Sequence, residues 1–146
     1  FNEFAATYTV PASHALSGRL SVTRGGFFDG DRNSLGAQVL YRPNVHWQLS
    51  GGLQRNQLEL AGEAFTADLY SVRVRYAHDT RTFASVFVQY NEAAEEVVTN
   101  ARFNLMHAPL SDVFLVLTER RSTAGGPGSA VLERGITLKV TQLLAF

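Results

Sequence analysis

The stretch LGAQVLYRPNVHWQLSGGLQ, residues 35–54, decides the fold because apolar side chains occupy alternate positions on both sides of a short polar turn. The alternation runs through Leu35, Ala37, Val39 and Tyr41 and resumes at Val45, Trp47, Leu49 and Leu53. A period of two places successive side chains on opposite faces of a β-strand. The stretch therefore predicts two antiparallel strands, each with one apolar and one polar face.

The same pattern recurs along the chain. It is clear at residues 70–76 and weaker at residues 4–10, 16–23, 84–90, 101–107 and 136–146. Residues 113–117 also predict a strand, but they are apolar on both faces and do not define its register. Strands of roughly ten residues are long enough to cross a bilayer when tilted. We therefore expect an all-β fold, an antiparallel transmembrane β-barrel region covering residues 1–146, with eight or nine strands in this chain.

Composition excludes several classes of protein. The chain has 13 basic and 13 acidic residues and no cysteine. Zero net charge argues against a nucleic-acid partner, and the lack of cysteine excludes a disulfide framework and a zinc ribbon. No apolar run approaches the ~18 residues of a transmembrane helix. Because Phe1-Asn2-Glu3 has no initiator methionine or secretory leader, the sequence predicts either a processed product or a fragment. We expect the C-terminal part of a larger barrel.

The connections between predicted strands differ in length. Odd-numbered connections are short and polar, at residues 11–14, 42–44, 78–81 and 108–111. Even-numbered connections are long, at residues 25–33, 56–64, 91–97 and 119–134. Tight periplasmic turns and long outer loops are typical of outer-membrane barrels. The pattern predicts a bacterial outer-membrane location, with lipid and lipopolysaccharide as surroundings.

Aromatic residues of the apolar face fall next to the short turns. The predicted members of this interfacial girdle are Tyr8, Tyr41, Trp47, Tyr76 and Phe146. Aromatic rings with an apolar body and a polar edge favour the membrane–water interface. The alternative is a soluble all-β domain in which the same rings fill a core.

The opposite face carries positive charge. Its predicted lumen-facing basic residues are Arg19, Arg42, Arg73, Arg75, Arg102 and Lys139. Alternation places a single carboxylate, Glu3, with them. Unpaired charges are costly in the filled interior of an eight-stranded barrel, so this face favours a wide, water-filled lumen and an anionic solute.

The C-terminal residues resemble the signal by which the barrel-assembly machinery of Gram-negative outer membranes recognises its clients. The matching positions are Lys139, Thr141, Leu144 and Phe146. Thr141 stands where the signal usually has glycine. The resemblance implies the assembly machinery as a partner.

A second resemblance rests on short segments in a fixed order. They are GFFDG at residues 26–30, YRPN at 41–44, QRN at 54–56, FT at 65–66, QYN at 89–91, NARFN at 100–104 and SDVFLV at 111–116. Together they resemble the C-terminal part of a bacterial family in which a carbohydrate-binding-family-9-like domain precedes an outer-membrane barrel. The resemblance implies a location and an architecture, and it carries no established activity.

Catalytic and metal-binding patterns are weak. The four histidines, His14, His46, His78 and His107, lie beside short turns without metal-ligand spacing. Ser13 precedes His14 in a turn, which favours turn chemistry over a nucleophile and its base. We therefore predict no enzyme activity, no cofactor and no metal.

The leading functional prediction is a pore, transporter or solute-binding barrel for an anionic or carbohydrate solute. One alternative is a structural or adhesive outer-membrane protein with a plugged barrel linked to carbohydrate binding. Another is a lipid-modifying barrel enzyme.

Overall fold

The computed structural model describes residues 3–11, 13–27, 30–60, 63–125 and 130–143. In these ranges the chain forms nine strands: β1 (Glu3–Val10), β2 (Leu16–Phe27), β3 (Gly30–Tyr41), β4 (Trp47–Leu60), β5 (Glu63–Ala77), β6 (Thr82–Asn91), β7 (Glu96–Ala108), β8 (Ser111–Ser122) and β9 (Val131–Thr141). The predicted all-β class and the nine strands are confirmed. Among the described residues, no helix is long and apolar enough to cross a membrane.

The strands form one antiparallel sheet in sequence order, from β1 to β9. Each strand pairs with the next one along the chain, as in Trp47 opposite Tyr76 between β4 and β5. The sheet is not closed into a barrel: β1 and β9 are its two edges, and almost all of their residues are exposed. The antiparallel sheet predicted from the sequence is confirmed, and in the described residues it is open.

Two of the four predicted long loops, at residues 25–33 and 56–64, are largely strand, so the expectation was wrong there. The β2–β3 ladder continues to Phe27 opposite Gly30, and the β4–β5 ladder continues to Leu60 opposite Glu63. The strand bounds leave residues 28–29 and 61–62 between these pairs, and both lie outside the described residues. Polar side chains had suggested loops there, but ladder hydrogen bonds come from the backbone and tolerate polar residues where both faces meet water.

One face of the sheet is apolar and solvent-exposed. No hydrophobic side chain of the described residues is buried. Val72 is 56% exposed, Ile136 is 69% exposed, and Leu138 is 64% exposed. In the described ranges, no other part of the chain covers this face.

The other face is polar and concave. A hollow of about 550 Å³ extends over β1 to β6 and is lined by polar-face residues of all six strands, from Thr9 to Phe87. Small residues allow this curvature. A Cβ atom added to Gly52 would lie 2.8 Å from Ser71 Oγ, and one added to Gly36 would lie 2.7 Å from Ser21 Oγ.

Candidate anion site on the polar face

Strands β5, β6 and β7 bring three predicted basic residues to one place. Arg75 lies opposite Ser85, and Ser85 lies opposite Arg102. Arg73, two residues from Arg75 on the same face, lies opposite Phe87. Since neighbouring strands are about 4.8 Å apart, the backbones carrying Arg75 and Arg102 are roughly 10 Å apart, with a small side chain between them.

Two of these arginines lie over aromatic rings. The guanidinium carbon of Arg73 is 4.8 Å from the centroid of the Phe87 ring, and that of Arg75 is 5.4 Å from the centroid of Phe83. The negative face of an aromatic ring attracts a cation, and the contact limits the side chain's freedom. The phenylalanines thus hold the two guanidinium groups without neutralising their charge.

Arg102 is held by a chain of hydrogen bonds instead. Its Nε donates to Asn100 Oδ1 at 3.2 Å, and Asn100 Nδ2 donates to Thr118 Oγ1 on β8 at 3.0 Å. Asn100 lies opposite Phe87, so the residue that supports Arg102 is the cross-strand neighbour of the residue that supports Arg73. Asn100 therefore acts as a positioning residue.

The three arginines line one cavity of about 550 Å³. Its other lining residues are Phe83, Ser85, Phe87, Val98 and Asn100. In the described ranges, no carboxylate lies within ion-pair distance of Arg73, Arg75 or Arg102. The arrangement, which we call the arginine cavity, offers three positive charges and several hydrogen-bond donors to one occupant.

The remaining predicted basic residues lie apart from this cavity. Arg19 on β2 lies opposite Gln38, and Lys139 on β9 lies opposite Phe114, both on the polar face. Arg42 follows the last residue of β3 and lies in the β3–β4 connection. Its N–H donates to the Ala15 carbonyl oxygen at 2.7 Å, one position beyond the Leu16–Tyr41 pair, and its lumen-facing orientation stays a prediction.

The polar face also holds more carboxylates than alternation suggested. The longer strands place four further ones there, Glu63, Glu96, Asp112 and Glu133. Arg120, on the same face, lies 4.0 Å from Glu96 and 3.7 Å from Glu133. The prediction of Glu3 as the single carboxylate of this face was thus wrong, although the arginine cavity itself keeps its unpaired charge.

Ion pairs lie at the end of the apolar face that is near the even-numbered connections. Asp68, only 3% exposed, accepts hydrogen bonds from Arg55 Nε at 2.9 Å and from the Tyr70 hydroxyl at 3.2 Å. Glu119 similarly pairs with Arg134 and Arg121. These charges lie on the same face as the exposed apolar residues but near the even-numbered connections, and sequence analysis missed them.

Two of the predicted girdle aromatics are in contact. The rings of Trp47 and Tyr76 are tilted, with their centroids 4.8 Å apart. Tyr41 ends β3 and Tyr8 lies two residues before the end of β1, and they are 45% and 70% exposed. Phe146 lies outside the described residues. All four described aromatics are on the apolar face, near the odd-numbered connections.

The predicted assembly signal is described only in part. Lys139 and Thr141 lie on β9, on the polar face. Leu144 and Phe146 lie outside the described residues.

The odd-numbered connections are stabilised by side-chain hydrogen bonds to the backbone. Asp79 Oδ1 accepts from the N–H groups of Arg81 at 2.8 Å and Thr82 at 2.6 Å, which lowers the pKa of Asp79. Asn44 Oδ1 accepts in the same way from the N–H groups of His46 and Trp47. These contacts explain the Asp and Asn residues of the turns as structural. Within the described ranges, His, Asp and Glu side chains form no group that could hold a metal ion.

Sequence analysis missed Phe83, Phe87 and Asn100. Residues 83–90 are rich in apolar side chains on both faces, so alternation alone does not show which phenylalanines share a face with the arginines. Phe83 and Phe87 both have odd residue numbers, so they lie on the same face of β6. This spacing, combined with the register of β5 on β6, was the available signal.

No protein-family model, no curated protein and no solved structure matches this chain.

Proposed function

We propose that the chain is a wall segment of an outer-membrane β-barrel whose polar face lines a lumen for anionic solutes. The observation that carries this proposal is the exposed apolar face: no hydrophobic side chain in the described ranges is buried. Contiguous apolar surface of more than a few hundred Å² is rare on soluble monomers and marks an interface with protein or lipid.

The height of the apolar face supports lipid as its surroundings. On β4 the face runs from Trp47 to Arg55, on β5 from Tyr76 to Asp68, and on β2 from Leu16 to Arg24. Each interval spans eight residues, or about 26 Å along the strand. At the usual tilt of about 40°, this is about 20 Å along the membrane normal, close to the ~25 Å apolar band of outer-membrane barrels.

Both limits of this band carry residues suited to a membrane boundary. Trp47 and Tyr76 pack together at one end, and aromatic rings are enriched at the edges of such bands. Arg55 and Asp68 pair at the other end, where charges meet headgroups and water. A protein partner gives no reason for the same eight-residue interval on several strands.

The charge on the polar face supports an anionic solute. Arg73, Arg75 and Arg102 lie near the middle of the sheet with no carboxylate at ion-pair distance in the described ranges. Such charges keep their hydration in a water-filled lumen, whereas a dry interior imposes a large desolvation cost. A basic wall also raises the local concentration of anions.

The experiment is the measurement of reversal potentials of the full-length protein in planar bilayers across a salt gradient. We expect a preference for anions that falls in Arg102→Glu. Arg24→Glu is the matched control, because it makes the same charge change on the opposite face of the sheet. Cation preference, or no conductance, would overturn the proposal of an anion-selective lumen.

A second candidate is a structural or adhesive barrel, in line with the resemblance to a family with an upstream carbohydrate-binding-like domain. The β4–β5 hairpin favours it, since β4 continues five residues beyond Arg55 to Leu60 and so projects past the apolar band. A barrel of this kind binds glycans through its projecting parts and does not conduct. The two candidates are therefore separated by the same bilayer measurement.

A further inference from the structure

We infer that the arginine cavity binds a multiply charged oxyanion, such as a phosphate or a polycarboxylate, from the solution in the lumen. This inference deepens the proposed function and rests on its assignment of the polar face to a lumen. It goes beyond a general basic field because it assigns a saturable site to specific residues.

The arginine cavity concentrates uncompensated positive charge. Three guanidinium groups line one cavity of about 550 Å³, a size typical of small-molecule sites. Like charges held close together repel, so the cavity favours an occupant that neutralises more than one of them. A singly charged ion such as chloride leaves most of this repulsion in place.

The three arginine side chains are held in place before any ligand binds. Phe87 and Phe83 support Arg73 and Arg75, and Arg102 is held by the hydrogen bond that it donates to Asn100 Oδ1. None of these contacts uses all of the guanidinium N–H donors, and planar guanidinium forks match the oxygens of carboxylate and phosphate groups. Side chains that are already ordered lose less entropy on binding.

Ser85 lies at the centre of the site. It lies between Arg75 and Arg102 across the strands and between Phe83 and Phe87 along β6. Its short side chain leaves space for the anion, and its hydroxyl can donate a hydrogen bond. A larger residue at this position would fill the cavity.

The test uses the full-length protein in detergent micelles, with inorganic phosphate as the probe in alkaline buffer, where phosphate is a dianion. We expect saturable binding by titration calorimetry, and weak or no binding of nitrate. Arg73→Gln and Arg102→Gln should each weaken phosphate binding by about tenfold to a hundredfold, the usual effect of losing a hydrogen bond to a charged group. Ser85→Asp should abolish it, because the new carboxylate occupies the site.

The matched control is Arg32→Gln, which removes a positive charge from the same face outside the cavity. It should leave phosphate binding unchanged. Absence of saturable binding, or equal losses in Arg32→Gln and Arg102→Gln, overturns the inference. These outcomes are distinct from failure of the proposed function: a conducting pore without a phosphate site refutes only the site, and phosphate binding without conductance refutes only the pore.

Discussion

Val72→Arg is the substitution that best separates a lipid-facing sheet from a sheet in water. Val72 is 56% exposed and lies opposite Gly51 and Val88 on the apolar face. It is four residues from Asp68 and four from Tyr76, which places it at the middle of the apolar band. A substitution at so exposed a site in water changes the free energy of unfolding by at most about 0.5 kcal/mol.

In a bilayer the same change carries a much larger cost. Arginine on the lipid face of a barrel destabilises by about 2 to 4 kcal/mol at the midplane and by about 0 to 1 kcal/mol near an interface. We therefore expect Val72→Arg to lower the folding equilibrium constant by about 30- to 700-fold. The assay is equilibrium unfolding of the full-length protein in lipid vesicles, followed by its heat-modifiable mobility on gels.

Two controls make the result specific. Leu16→Arg has almost the same exposure, 57%, but lies at the end of the band, so it should cost no more than about 1 kcal/mol. Gln54→Arg lies on the polar face opposite Gly36 and Leu69, and it should also cost little. Gln48 is less suitable because it lies opposite Arg75. Equal costs for the three variants would refute the lipid-facing assignment.

Three further predictions concern the turns and the C-terminus. Leu110, which is 77% exposed, has a φ of 59° in the β7–β8 turn, a conformation that is strained for leucine and accessible to glycine. Leu110→Gly should therefore raise the stability by about 0.5 to 1 kcal/mol, and a lower unfolding midpoint would contradict this strain. Hydrogen bonds that Asp79 accepts from the N–H groups of Arg81 and Thr82 lower its pKa below 3.8, so its contribution to stability is complete above that value and is lost as the pH falls through the lowered pKa. Asp79→Asn should remove this part of the acid dependence of the unfolding midpoint, and an unchanged profile would refute it. Deleting Phe146 should reduce membrane insertion in cells while refolding into detergent persists, and normal insertion would contradict the assembly signal.

The strands and the faces of their alternating residues could be predicted because both depend on a period of two. Residues 70–76 alternate strictly and residues 35–41 do so apart from Leu40, and their pairing in the structure keeps apolar residues together on one side. The strand ends could not be predicted in the same way. Asn33 lies opposite Gln57, and Gln57 lies opposite Thr66, so polar residues there continue the ladder beyond the apolar band.

The candidate site was predictable only residue by residue. Alternation correctly assigns Arg73, Arg75 and Arg102 to one face, because each is directly flanked by apolar residues that belong to the opposite face. Their convergence depends on the registers of β5 on β6 and of β6 on β7, which turn geometry and packing determine together. A shift of two residues in either register would keep every face and still separate Arg102 from Arg75.

The directions of the edge strands bear on the size of the proposed barrel. In a sheet of nine strands that alternate in direction, β1 and β9 run the same way, so they cannot close the sheet with an antiparallel pair. Antiparallel closure therefore needs an odd number of additional strands, which agrees with the even totals of bacterial single-chain barrels. The arginine cavity lies on β5 to β7, away from both edges of the sheet. If the sheet forms part of a barrel with its concave polar side inward, the cavity faces the barrel interior. Because an eight-stranded barrel is filled by its own side chains while barrels of about 16 strands enclose water, three unpaired arginines at this position favour the larger size.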